Sequence, residues 1–308
     1  MRMRGDGRFG SLGDKRSSAV EICGYGAATM GDPAGQLVVH IRPRGGWRTL
    51  AVSELWSRRW LVWMLAQRDI RVRYAQTVIG ILWVVLQPAL VAVMLAFTVG
   101  RLSGVADAVG GSYLAFAIAG LVPWMVFAHA LIHTSNSLVD NERLITKVWF
   151  PRLALPLASV LSAACDLLVV GALAALTAPL WGGQWSVQLL LLPVIASLAL
   201  LAALAVGIWL AAANVFWRDV RYALPFAAQA WMLATPVIWP LSALPEWLRP
   251  FAALNPATGP VLGFRWLFNP STPFPACELA VGTAVSVALL LTGIAIFRRV
   301  EARFADAI

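Results

Sequence analysis

The chain has 308 residues, of which 60% are hydrophobic and only 13% charged, with a mean hydropathy of +0.75 and a formal net charge of +9. That proportion of apolar side chains exceeds what a soluble domain of this length can enclose, so composition excludes a soluble enzyme and makes the chain an integral membrane protein. The basic excess then belongs beside anionic lipid headgroups, and no nucleic-acid partner is expected.

In chain order, residues 1–50 are rich in Gly, Arg and Ser, lack a helical period and hold no apolar stretch ahead of a cleavage site. They are predicted to be a disordered cytoplasmic tail and not a signal peptide. Residues 51–76 are predicted to form an interfacial amphipathic helix, because Trp56, Trp60, Trp63 and Gln67 share a helical face while Arg58 and Arg59 point elsewhere. The cytoplasmic end of a longer first span is the other reading that fits.

From 77 to 300 the pattern is that of a transmembrane domain. A hydrocarbon core about 30 Å thick requires about 20 apolar residues. Six windows meet that length, at about 78–100, 113–135, 153–178, 188–213, 223–241 and 279–297. Basic residues test the topology independently of hydropathy. Twenty-one of the 24 fall before the first window, in the second-to-third and fourth-to-fifth connections, or after the last, leaving Arg101, Arg249 and Arg265 for the other side. Lys and Arg concentrate on the cytoplasmic flank, so six spans with both termini cytoplasmic are predicted, and 301–308 is a cytoplasmic C-terminal tail. Cys23, Cys165 and Cys277 are too scattered over these levels to form a disulfide framework.

Between the fifth and sixth spans, residues 242–275 are too apolar for a solvated loop and too rich in proline for a crossing helix. Two short helices near 245–253 and 258–268 are predicted to dip into the bilayer from the outside and return, which backbone tolerates only against protein or a water-filled cavity. A lid lying on the surface is the alternative. Prolines 88, 123, 156, 193, 225 and 236 are expected to bend the spans. Glycines such as 80, 100, 120, 171, 207 and 293 permit close helix approach without identifying an interface.

Two polar features stand inside the spans. Asp166 has apolar neighbours on both sides, where an ionised carboxylate costs at least about 2.5–3.5 kcal/mol, so it must face the bundle interior, a cavity or another subunit. His129 and His133 are spaced as in a zinc-binding His-Glu-x-x-His helix, but the sequence between them is Ala-Leu-Ile and no third ligand presents itself. An intramembrane metal hydrolase is the reading this pair would need; neither a metal site nor catalytic residues are expected.

The blocks RDIRVRYAQTVIGILWVVLQPAL (68–90), KVWFPRLALPLASV (147–160), FWRDVRYALP (216–225), LNPATGPVLGFRW (254–266) and FRRVEARFADAI (297–308) resemble the ABC-2 type permeases that export bacterial polysaccharides such as O-antigen, capsule and teichoic acid. The resemblance implies the all-α, ABC-2 (type V exporter) permease fold. Six membrane helices per subunit would pair as a homodimer around a channel, in the bacterial inner membrane, with two copies of a separate ABC ATPase subunit. A lipid-linked polysaccharide is the implied cargo, and an ABC-2 exporter of a drug or lipid shares the fold without the 68–90 block. Lys15 and Lys147 are the only lysines, and neither stands in the Gly-Lys-Ser/Thr triplet of a P-loop. This chain is therefore expected to bind no cofactor, with ATP and Mg held by the partner.

Residue roles follow from that resemblance. Within the connection 135–152, a short helix started by Asn136 or Ser137 is expected to offer Asp140, Asn141, Glu142, Arg143 and Lys147 to the ATPase, with Arg218 and Asp219 nearby. Trp83, Phe97, Trp124, Phe127, Trp231 and Trp239, with Asp166, are candidates for a channel lining on which sugars stack. Trp247, Asn255, Pro256 and Arg265 are the candidate outer gate.

Overall fold

The structure, a computed structural model, describes residues 56–75, 83–102, 112–148 and 150–304. The expected tail at 1–50, the start of the first window and the last four residues lie outside the described residues. Among the described residues all regular structure is helical. In order, α1 is Arg59–Tyr74, α2 Trp83–Leu102, α3 Tyr113–Asn136, α4 Glu142–Lys147 and α5 Ala154–Thr177. Then follow α6 Leu192–Phe216, α7 Asp219–Ala234, α8 Arg249–Leu254, α9 Thr258–Phe268 and α10 Ala276–Val300.

Four helices, three of them counted with the short 3₁₀ turns that extend them, are long and apolar enough to cross a membrane: Tyr113–Asn136, Ala154–Trp181, Val187–Phe216 and Ala276–Arg303. They coincide with four of the six apolar windows. The apolar stretch of α2, Leu86–Gly100, is shorter. Helix α7 stops at Ala234, well short of the expected end at 241, because the chain turns extended at Thr235 and Pro236 and Pro240 cannot donate to a continuing helix. The two short helices expected after it are present as α8 and α9.

Helix α3 is the hub, packed against α2, α5, α6, α7 and α9. Ser112 caps its start by accepting from the Ala115 N–H. Lipid tails give apolar helices no hydrophobic reason to associate, so close packing must hold them. The α3–α6 contact does so through small residues: Ala203, Gly207 and Ala211 follow one another on α6, and a Cβ added at Gly207 would lie 2.6 Å from Thr134 Cγ2. Nearby, Asn214 donates to the Ser135 carbonyl at 3.1 Å and to Asn136 Oδ1 at 2.9 Å. Gly207→Val should therefore separate α3 from α6 and cost about 1–3 kcal/mol, lowering the unfolding temperature in detergent. An unchanged midpoint would mean that the two helices can slide apart without penalty.

Prolines divide by position. Pro88, Pro123 and Pro225 lie inside helices, where they do remove a hydrogen bond. Pro156 falls in the first turn of α5, Pro193 at the start of α6 and Pro236 beyond α7, so the bends expected of these three do not arise. At the other end of the chain, Phe304 is fully buried, with ring centroids 5.0 Å from Phe297 and 6.0 Å from Phe216. Arg152 adds to this anchor, its guanidinium donating to the Glu301 carbonyl and its backbone N–H to Glu301 Oε1. Residues 301–304 are thus packed against the bundle. Phe304→Ala should cost about 3 kcal/mol, and a variant that melts like the parent would show the anchor to be dispensable.

Candidate functional site

The connection from α3 to α5 is short and folded. Asn136 ends α3 and Ser137 is its C-cap, so neither starts the next helix as expected. A 3₁₀ turn, Val139–Asn141, intervenes before α4 begins at Glu142. Leu138 and Ile145 are buried and pin this corner, while Glu142, Arg143 and Lys147 are exposed.

Two distant helices close on the corner. Arg68 of α1 donates to Asn141 Oδ1 at 2.6 Å and to Asp69 Oδ1 at 2.9 Å, and the Asn141 amide in turn donates to the Ser137 carbonyl. From α7, Arg221 pairs with Asp140 at 3.1 Å. Burial pushes the Asp140 carboxyl above its usual range, Arg221 draws it down, and Asp69 raises it further. Both partners are nearly half exposed, 46% and 45%, so the pair is worth at most about 1 kcal/mol and positions more than it stabilises. Together Arg68, Asp140, Asn141, Glu142, Arg143, Lys147 and Arg221 line one open cleft. Arg218 and Asp219 do not: both are exposed outside that lining, Asp219 in the first turn of α7 where its charge suits the helix dipole.

Helix α1 continues from this corner into the bundle. Five residues past Arg68, about 7.5 Å along a helix, Arg73 forms an ion pair with Asp166 at the centre of α5 and donates to Ser162 Oγ at 3.1 Å. The Arg73 side chain is 22% exposed and that of Asp166 is 6%. Asp166 therefore meets its counter-charge within the chain, and a cavity of about 20 Å³ beside it, also bordered by His129 and Gln87, has room for about one water. The signal for this pair was present in the sequence. A lone mid-helix carboxylate demands a cation, and Arg73 is the last basic residue before the first apolar window. Trp56, just ahead of α1, and Trp60 and Trp63 on it are exposed.

The channel candidates separate into two groups. Trp124 and Phe127 are 3% and 1% exposed and pack edge-to-face with Trp231 at centroid distances of 6.4 and 5.3 Å. Both rings are packed inside the protomer. Trp231 donates to Asn255 Oδ1 at 3.1 Å, and Trp239 turns its indole N–H to the Leu233 carbonyl. Trp83 and Phe97 are exposed on α2.

At the end of the bundle remote from α4, Asn255 donates to Thr235 Oγ1 at 2.8 Å and accepts from the Ala257 N–H, tying the end of α7 to the α8–α9 turn. Pro256 is buried in that turn, and Trp247 is exposed apart from it. Arg265 is buried and donates to the Val237 carbonyl at 2.6 Å. The His129 and His133 rings are 6.3 Å apart, and among the described residues no group of three or more His, Cys, Asp or Glu side chains could hold a metal.

Residues 61–269 match the protein family described as ABC-2 type transporter. The chain is 32% identical over 262 residues to a Myxococcus xanthus protein named "O-antigen export system permease protein RfbA", covering 83% of this chain and 98% of that protein. A Klebsiella pneumoniae protein of the same name is 26% identical over 248 residues, covering 80% of this chain and 94% of the relative. The family match spans α1 through α9, and thus both the α4 corner and the Arg73–Asp166 pair, and by it the chain belongs to the ABC-2 type transporter family.

Proposed function

We propose that this chain is the permease subunit of an ATP-driven exporter that carries an O-antigen-like, lipid-linked polysaccharide across the bacterial inner membrane. The observation that carries the cargo class is the 32% identity along 98% of a protein named for O-antigen export. In this reading α2 and α7 complete six spans with the four long helices, both termini are cytoplasmic, and α8 and α9 are the outer re-entrant pair. Residues 51–76 begin in the interface through their tryptophans and reach the bundle at Arg73, 77–300 form the transmembrane domain, and two copies of the chain enclose the passage.

The ATPase, in two copies, docks on the α4 corner, where exposed charge surrounds a buried footing. Arg68 and Arg73 make α1 a bar between that corner and the middle of α5, so a push on α4 reaches the bundle through two polar contacts. ATP and Mg stay in the partner; this chain supplies the path and the lever.

Deleting the gene should empty the cell surface of its long-chain polysaccharide and leave lipid-linked polymer on the inner side, with a P-loop ATPase co-purifying with the tagged chain in wild-type cells. Normal surface polysaccharide together with loss of capsule, teichoic acid, a lipid or a drug efflux phenotype would reassign the cargo.

A further inference from the structure

At the end of the bundle remote from α4, the first turns of α3, the turn after α7, helix α9 and the connection to α10 enclose a cavity of about 710 Å³. Small-molecule sites fall at roughly 300–1,000 Å³, so the space suits a headgroup and not a polymer. Asn269, Ser271 and Thr272 give the wall hydroxyl and amide groups, Phe116 an aromatic face, and Arg265 and Glu278 its charges.

Arg265 is the unusual member. It is 7% exposed, its guanidinium carbon lies 3.5 Å from the centroid of the Phe116 ring, and Nη2 donates to Val237. Nε and Nη1 have no hydrogen-bond partner, and among the described residues none of the ion pairs includes it. The packing makes room for this cation, because a Cβ at Gly120 would lie 2.9 Å from Nη2. A buried guanidinium without an anion is costly, whereas Asp166, equally buried, has its counter-charge.

We propose that this cavity binds the phosphate ester of an amine-bearing headgroup. Arg265 meets the oxyanion, since a tetrahedral phosphate turns oxygens in several directions and can reach a guanidinium and nearby hydroxyls together. Ser271, Thr272 and Asn269 take the remaining oxygens or hydroxyls. Glu278, half-buried in the wall, repels a second negative charge and favours an ammonium on the same headgroup. The chemistry is shared by a phosphatidylethanolamine headgroup and by a soluble amino-sugar phosphate. Binding of either requires neither an ATPase nor an export cargo, so this site stands or falls apart from the function proposed above.

The full-length chain in maltoside detergent, which carries no phosphate, is titrated with O-phosphoethanolamine, glucosamine 1-phosphate and glycerol phosphate, and in parallel with phosphatidylethanolamine in mixed micelles. Saturable binding is expected, weakened roughly ten- to a hundredfold by Arg265→Gln. Glu278→Gln keeps the fold and should erase the preference for phosphoethanolamine over glycerol phosphate. Saturation by the lipid alone assigns the site to a membrane headgroup, and saturation by the soluble esters assigns it to a sugar phosphate. The proposal is overturned if no probe saturates, or if Arg265→Gln binds like the parent. Should Arg265→Gln not fold, an unaltered preference in Glu278→Gln overturns it equally.

Discussion

Replacing either member of the Arg73–Asp166 pair should destabilise the protein by about 3–5 kcal/mol, the cost of leaving one buried charge without its partner. The two single variants differ in escape. Arg73 stands at the end of α1 with 22% of its side chain exposed, so in Asp166→Ala it can swing its head toward water, which places that variant near the low end. Asp166 sits at the centre of α5 and cannot move out, so Arg73→Ala should be the more damaging. The double variant Arg73→Met, Asp166→Leu removes both charges and fills the space with apolar atoms. It should recover to within about 1.5 kcal/mol of the parent. Thermal unfolding of the four proteins in detergent gives the cycle. Additive losses, with the double variant the least stable, would show that the two side chains do not act as a pair.

The same double variant separates stability from transmission. If α1 is a bar between the α4 corner and α5, a protein that is restored in stability but lacks the polar link should still insert and bind its ATPase while transporting poorly. Full transport by the double variant would reduce the pair to a structural element.

Long apolar windows were legible because their length leaves a chain few alternatives in a bilayer. The ends of α3, α5, α6 and α10 fall within a few residues of the expected limits for that reason. Where a helix end depends on one dihedral, as at Thr235, or on whether a proline sits in a first turn, as at Pro156, hydropathy carries no information. Side-chain partnerships over long sequence separations were less visible. Nothing local marks Arg68 for Asn141, Arg221 for Asp140 or Arg265 for Val237, since each depends on how helices cross. The aromatic set shows the same limit. Trp124, Phe127 and Trp83 are alike in sequence context, yet the first two are core and the third is exposed, because α3 packs against five other helices and α2 mainly against α3 and α5.

Neutralising the exposed face of α4, by Glu142→Ala, Arg143→Ala and Lys147→Ala together, should abolish transport and the stimulation of the partner's ATP hydrolysis while leaving the fold intact. Deleting residues 138–147 would confuse these effects, because it removes Leu138 and Ile145, whose burial holds the corner against the bundle. The three charged side chains are exposed, and such substitutions alter stability by no more than about 0.5 kcal/mol each. What they change is the surface presented to a partner, where charge governs recognition and the rate of association. Arg68 and Arg221 stay in place in this variant, so the corner keeps its hydrogen bonds to α1 and α7 and a lost activity cannot be attributed to collapse. The decisive comparison is with Arg218→Ala, Asp219→Ala, which alters exposed charge outside the cleft and should leave coupling near the parental level. Transport by the α4 triple variant at parental rates, or equal loss in both variants, would move the docking surface away from this corner.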